Sequence, residues 1–228
     1  MKTLGLIGGV SPQSTEIYYR LLNEAARDRL GPAHSSKLIL WSFDFDAIDR
    51  AYSARDWERY RGLVVEAGLA LKRAGVDALM ICSNTTHLAA QAVREAAGLA
   101  VIHVIDALAE RIEASGARRP LLFGTPFVME GDFYRNDLKS RFGIDTIVPQ
   151  AADREEIRRI IFDELVQGIV SDHSRARLVA MINKAKGADS VILGCTELSL
   201  ILSQSDSALP VFDTTAIHAE AASRFQLG

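Results

Sequence analysis

Several things are scarce in this chain of 228 residues. Only two are cysteines, Cys82 and Cys195, and they lie far apart. Two such residues make no disulfide framework, and a structural bridge between them is not expected in a reducing compartment. Aromatic residues are 7% of the total, too few for a base-stacking platform. Neither sign of charge dominates: 26 basic and 29 acidic residues are well mixed, for a net charge of −3. The basic stripe of a nucleic-acid binder is missing, so no nucleic-acid partner is expected. No apolar run approaches the roughly 20 residues needed to cross a bilayer. The N-terminal stretch Met1–Gly9 is apolar but stops at Gly8-Gly9, too short for a signal sequence. A soluble, cytoplasmic chain without a membrane partner is expected. There is no Walker motif, and Gly5-x-x-Gly8-Gly9 is not the G-x-G-x-x-G of a dinucleotide site.

Against these absences, 48% of the residues are hydrophobic. A chain of this length buries roughly 70% of its unfolded surface. Short β-rich runs alternate with helical patterns. Strands are expected at Thr3–Ile7, Lys37–Phe43, Ala78–Cys82, Val101–Val104, Leu121–Phe123, Val191–Leu193 and Val211–Phe212. Helices are expected at Ser14–Arg29, Arg55–Arg73, Thr86–Ala97, Ala107–Ser115, Met129–Arg141, Arg154–Gln167, Ser174–Lys186 and Thr214–Phe225. Alternation of this kind implies parallel sheets with helices on both faces, and ligands beyond the carboxyl ends of the strands. Four loops are thereby singled out: Gly8–Ser14, Cys82–Thr86, Gly124–Phe127 and Gly194–Glu197.

The four loops fall into two pairs. Leu4–Gly9 resembles Pro120–Thr125, and Ala74–Cys82 resembles Lys186–Cys195 with one residue inserted. Each half of the chain thus brings one cysteine to the end of a strand. In Cys82-Ser83-Asn84-Thr85-Thr86-His87 the thiol precedes a helix start, where free amides and the dipole stabilise a thiolate or a substrate carboxylate. Gly194-Cys195-Thr196-Glu197 repeats that logic. For a single cysteine, packing at a strand end is the plainer reading; two in matching places point to chemistry. Two thiols facing each other across a carbon can take a proton from one side and give one to the other, which inverts the configuration. A metal site is not expected, because C-x-x-C and H-x3-H spacings are absent. Ser11 has two readings, cleft lining and helix start, and His87 has two, assistance to a thiol and local packing. Glu197 either contacts the substrate ammonium and tunes Cys195 or simply favours the helix dipole.

With both cysteine loops in view, the chain resembles the cofactor-independent aspartate/glutamate racemase family, in particular its bacterial L-aspartate/glutamate branch. The resemblance rests on Gly5-Leu6-Ile7-Gly8-Gly9 with Ser14-Thr15, and on Cys82-x-Asn84-Thr85-x-His87. It continues through Gly124-Thr125-x-x-x-Met129-Glu130-x-Asp132-Phe133-Tyr134, Gly194-Cys195-Thr196-Glu197 and Leu209-Pro210-Val211-Phe212-Asp213-Thr214. It implies an α/β fold of two pseudo-symmetric αβα domains with parallel sheets and the active site in the cleft between them. The boundaries expected are 1–97 plus 209–228 for the domain carrying Cys82, and 98–208 for the domain carrying Cys195. Cys82 and Cys195 are implied as the acid/base thiols. Asn84, Thr85 and Thr125 are implied to hold the α-carboxylate, and Ser11, Arg50, Thr196 and Glu197 complete the candidate substrate-binding set. The resemblance implies no cofactor, neither pyridoxal phosphate nor metal, and a homodimer acting on a small amino acid.

The departures bear on the substrate. Pro12-Gln13, Thr86, Leu88, Pro126 and Val128 differ from the pattern of the acidic-substrate branch. The lysine that helps hold the side-chain carboxylate in some relatives falls near Val166, while Arg50 matches their arginine. A dicarboxylate needs a cation in a dry pocket, and Arg50 is the candidate. Aspartate, glutamate or a related amino acid is the expected substrate. The alternatives are another cysteine-dependent reaction on this scaffold (hydantoin racemase, maleate isomerase or arylmalonate decarboxylase type) and a non-catalytic amino-acid-binding protein.

Overall fold

The computed structural model describes residues 1–228, except for the side chain of Asp132, so that member of the motif lies outside the described residues. The chain divides into two compact units, Met1–Val104 with His218–Gly228, and Ile105–Ile217. Unit one contains β1 (Leu4–Gly8), α1 (Pro12–Leu30), β2 (Leu38–Ser42), α2 (Phe45–Ser53), α3 (Trp57–Arg73), β3 (Ala78–Ile81), α4 (Ala90–Ala97) and β4 (Val101–Ile102). Then come α5 (Val104–Ser115), β5 (Pro120–Gly124), α6 (Pro126–Glu130), α7 (Asp132–Phe142), α8 (Ala151–Arg159), α9 (Asp172–Lys184), β6 (Ser190–Gly194) and β7 (Val211–Asp213). The last helix, α10 (Thr214–Leu227), passes from the second unit into the first.

In the first unit the strands pair in parallel in the order β2-β1-β3-β4. Alternate residues point to opposite faces. Leu4, Leu6, Met80 and Cys82 pack with Tyr18 and Leu22 of α1 and with Ala219 and Ala222 of α10. Ile7, Leu79 and Ile81 join the cluster that includes Ile48, Val64, Leu71 and Val93, from α2, α3 and α4. Both faces are covered, which is why these strands read as continuous apolar runs. Each large aliphatic side chain so buried contributes about 1.5–3 kcal/mol.

The second unit has the order β5-β6-β7, again parallel. Leu121, Phe123, Val191 and Leu193 pack with Ile157 of α8 and with Leu178, Met181 and Ile182 of α9. A single parallel bridge, Leu121 to Ile147, stands where the first unit has β2. With that remnant counted, the two units share one strand order.

Caps set most helix ends. Ser11 accepts from the Ser14 amide to open α1, Asp56 from the Arg59 amide to open α3, and Ser171 from the Ser174 amide to open α9. Four segments differ from the sequence expectation. The helix expected from Thr86 begins as a 3-10 turn, Thr85–Ala89, before α4. The helix expected over Met129–Arg141 is split at Gly131, whose ψ of 143° is extended. The helix expected over Arg154–Gln167 leaves α geometry after Arg159, and α2 was not foreseen. The unit boundaries also differ from 97/98 and 208/209. β4 pairs with β3 in the first sheet, and β7 pairs with β6 in the second, so the return to the first unit comes at His218.

Two imidazoles stitch the first unit together. His218 of α10 donates from Nε2 to the Ile102 carbonyl (2.8 Å) and accepts at Nδ1 from the Tyr18 hydroxyl (3.0 Å). His87 donates from Nδ1 to the Ser83 carbonyl (2.7 Å) and accepts at Nε2 from the Val104 amide (3.2 Å). These bonds require neutral rings of fixed tautomer. Burial, with His87 nearby, pushes His218 down to about 3. Burial, with His103 nearby, holds His87 well below its ordinary range. For His87 the local-packing role is the one these bonds describe.

Two measurements follow from this packing. Gly9 has φ +81°, and a Cβ there would strike the backbone of Phe43, whereas Gly62 lies exposed within α3 with open space around it. Gly9→Ala is expected to cost at least about 2 kcal/mol in urea denaturation, and Gly62→Ala to gain about 0.5–1 kcal/mol. Acid should also destabilise the fold. Below pH 6.5 the unfolded chain takes up protons at His87 and His218 that the folded chain refuses. Stability is then full above about 6.5 and falls as the pH drops, by up to about 1.4 kcal/mol per pH unit for each ring. Urea midpoints at pH 7.5 and 5.0 that coincide would contradict the neutral-ring assignment.

Candidate active site

In the first sheet the chain runs from β1 to β2 on one side and returns to β3 on the other. The carboxyl ends of β1 and β3 therefore flank a topological switch point, where ligands bind in open α/β sheets. The Cys82 amide extends the ladder by donating to the Ile7 carbonyl (2.9 Å). Ser11 is buried at the end of the loop after β1, and its hydroxyl oxygen accepts from the Ser14 amide (3.1 Å). The Thr15 hydroxyl donates to the Ser11 carbonyl (3.0 Å) and accepts from the Gly9 amide (2.8 Å). Gly8 has no side chain for a reason: a Cβ would sit 2.6 Å from the Thr15 methyl. Asn84 is buried and Thr85 half-buried at the start of the 3-10 turn. Thus Ser11, Cys82, Asn84 and Thr85 gather at one edge of the first unit.

The second unit repeats the arrangement. Gly124 and Gly194 face each other in register at the ends of β5 and β6. A Cβ on Gly194 would lie 2.9 Å from the Phe123 carbonyl oxygen, and one on Gly124 2.9 Å from Val128 Cγ1. Thr125 caps α6 by accepting from the Val128 amide (3.4 Å). Cys195 follows β6 and opens a 3-10 turn, Thr196–Leu200. Its thiol donates to Glu197 Oε2 (3.0 Å), and the Thr196 hydroxyl donates to the same oxygen (2.7 Å). Thr196 and Glu197 are both buried.

The thiols do not match the expectation of a stabilised thiolate. Cys82 has no exposed surface, and burial pushes its thiol up. Cys195 is raised well above the ordinary thiol range by burial, and further by the charge of Glu197 and by the bond to it. The physical reason lies in the turns. Each cysteine precedes a five-residue 3-10 turn rather than a full helix, so little dipole offsets the desolvation of a thiolate.

Arg50 departs as well. Its side chain is 73% exposed on α2 and pairs with Asp46 (2.7 Å). That is a solvated i,i+4 contact of about 0.3–0.5 kcal/mol, not the cation of a dry pocket. Among the described residues no group of three or more His, Cys, Asp or Glu is placed to hold a metal ion. No helix among them is long and apolar enough to cross a membrane. Two contributors escaped sequence reasoning. Ser83 holds the Cys82 loop through its carbonyl and through its hydroxyl, which accepts from the Thr86 amide (3.4 Å). Tyr60 bonds to Thr86 (2.8 Å). The Tyr60 partnership is tertiary and leaves no local pattern, whereas the bonds of Ser83 to Thr86 and His87 lie within one turn.

A sequence profile of the Asp/Glu/Hydantoin racemase family matches residues 7–222. A Yersinia pestis protein assigned to the Asp/Glu racemases shares 43% identity, with a TM-score of 0.94 and each chain covered in full. An aspartate racemase homologue from Pyrococcus horikoshii shares 33% identity, with a TM-score of 0.89 and full coverage of both. The broad specificity amino-acid racemase RacX of Bacillus subtilis is 19% identical over 93% of each chain. The chain belongs to the Asp/Glu/Hydantoin racemase family and is an enzyme of the racemase class.

Proposed function

We propose that the protein is a cofactor-independent amino-acid racemase that inverts Cα with two thiols, Cys82 and Cys195. The observation that carries this reading is the repeated placement. Each unit ends its second core strand, β3 or β6, in a cysteine beside the loop of a paired strand. Family membership supports the reaction class, and the names of its relatives support an α-amino acid as substrate.

In this reading Glu197 takes the thiol proton of Cys195, along the hydrogen bond already present. The Cys195 thiolate then removes the α-proton, and the Cys82 thiol donates a proton to the opposite face. Cys195 ends protonated and Cys82 ends as the thiolate. Protons exchanged with solvent restore Glu197 and Cys82, or the reverse reaction begins from Cys82. Asn84, Thr85 and Thr125 hold the α-carboxylate, with Ser11 and Thr196 lining the site. Cys82, fully covered, reaches a substrate only after the side chains over its sulfur move. The homodimer implied by the resemblance belongs to this reading too, and light scattering measures it.

In D2O, both enantiomers of a substrate should gain deuterium at Cα. Cys82→Ala and Cys195→Ala should each abolish racemisation; retention of turnover in either variant would remove the two-thiol mechanism. The pH profile is a further check. Because burial raises both thiols, kcat/KM should climb through neutral pH and level off above the ordinary thiol value of about 8.5. Glu197→Gln removes a proton acceptor and also a charge that raises Cys195. The expected result is a kcat about 100-fold lower with the rising limb moved to lower pH.

A further inference from the structure

The residue two places after each cysteine has a role in the proposed reaction: Asn84 after Cys82, and Glu197 after Cys195. In both units the peptide that leads into that residue is held by a side chain from one turn further on. In the first unit His87 Nδ1 donates to the Ser83 carbonyl (2.7 Å). In the second the Ser199 hydroxyl donates to the Thr196 carbonyl (2.8 Å). Ser83 and Thr196 each follow the cysteine directly, so the same carbonyl is pinned in two loops of unlike sequence. Each donor lies within a 3-10 turn, Thr85–Ala89 or Thr196–Leu200. His87 is itself fixed. Its Nε2 accepts from the Val104 amide (3.2 Å), and its ring meets those of His103 and His218 edge-on, with centroids 4.6 and 5.2 Å away. The Cys82 loop is thereby tied to the start of α5, and Tyr60 of α3 holds it again at Thr86 (2.8 Å).

A peptide group is planar, so a carbonyl that is held also fixes the amide of the next residue. The direction in which Asn84 or Glu197 leaves the backbone follows from that plane. A shared turn motif would repeat the donor; here a ring four residues on and a hydroxyl three residues on converge on one carbonyl. We infer that His87 and Ser199 are positioning residues, the first acting through Asn84 on the substrate carboxylate and the second through Glu197 on the thiol of Cys195. The inference rests on the racemase reading above and adds the pair that sets its geometry. Misplacing a reacting or binding group by about 1 Å costs up to about 100-fold. The two roles leave different kinetic signatures. Loosening Asn84 weakens the hold on the substrate and raises KM. Loosening Glu197 takes the proton acceptor away from Cys195 and lowers kcat. As that charge moves off, the rising limb of the pH profile moves lower.

The test uses the full-length enzyme with L-aspartate, L-glutamate, L-methionine and L-leucine in D2O. Deuterium at Cα is read by NMR, enantiomers by chiral chromatography and folding by circular dichroism. His87→Leu should raise KM about 10-fold or more, with a smaller change in kcat. His87→Asn, which puts an amide donor where Nδ1 stands, should recover most of that loss. Ser199→Ala should lower kcat about 10-fold and move the rising limb to lower pH, the direction expected of Glu197→Gln. Because each residue acts through a neighbour, Ser199→Ala added to Glu197→Gln, and His87→Leu added to Asn84→Ala, should cost little beyond the single change. Wild-type constants in His87→Leu or Ser199→Ala overturn the inference. So do losses that multiply in the double variants, or a fall in kcat with KM and pH profile unmoved, the mark of fewer folded molecules. If neither His87 variant folds, the ring serves the fold and the inference fails for His87. Each of these results leaves the racemase reading standing. No α-proton exchange with any of the four amino acids removes both.

Discussion

The close approach of paired strand ends is the constraint on which the rest of this protein depends. β1 and β3 in one unit, and β5 and β6 in the other, run in register to their last residues. Gly124 and Gly194 let the ends of β5 and β6 approach each other, and Gly8 leaves room for Thr15 and Leu40 beside the end of β1. Because side chains are excluded there, the candidate residues stand just beyond the strand ends: Ser11, Cys82 and Asn84, or Thr125, Cys195 and Glu197. The candidate chemistry is thus a product of backbone geometry before it is a product of side-chain identity.

Electrostatics then separates the two thiols. Cys82 sits in an apolar cluster with Leu6, Tyr18 and Met80. Such surroundings favour the protonated form and suit a proton donor. Cys195 is also buried but has Glu197 at hydrogen-bond distance, with Thr196 donating to the same carboxylate oxygen. That carboxylate opposes a standing thiolate while offering a place for the proton to go. A pair of equal sulfurs is therefore unequal in its surroundings, and the proposed division into acid and base needs no lowered pKa.

The alternation of strands and helices was legible in the sequence because both faces of each sheet are covered, so Leu4–Gly8, Ala78–Ile81 and Ser190–Gly194 are uninterrupted apolar runs. The paired loops were legible because glycine and cysteine recur at matching strand ends. What escaped depends on tertiary partners. The π turn at Ile160 interrupts a pattern that reads as one helix through Gln167. The Asp46–Arg50 pair on the unforeseen α2 turned an expected buried cation into a surface one. Strand β7 was assigned with the C-terminal segment to the first domain, and only its pairing with β6 reveals its sheet. The reversal of the thiol shifts arose because desolvation is invisible in a linear pattern, whereas a cap-like Asn84-Thr85 is not.

The discontinuous first unit has a consequence for biosynthesis. Its covering helix supplies His218, Ala219 and Ala222, which are synthesised after the whole of the second unit. Until they arrive, the Leu4, Leu6 and Met80 face lacks half its cover and Tyr18 lacks its imidazole partner. The contiguous unit Ile105–Ile217 has no such wait and can assemble while the earlier-made residues are still incomplete. The first unit thus completes its packing only after the second has been made, and a chain ending short of residue 218 would leave the face around Cys82 open.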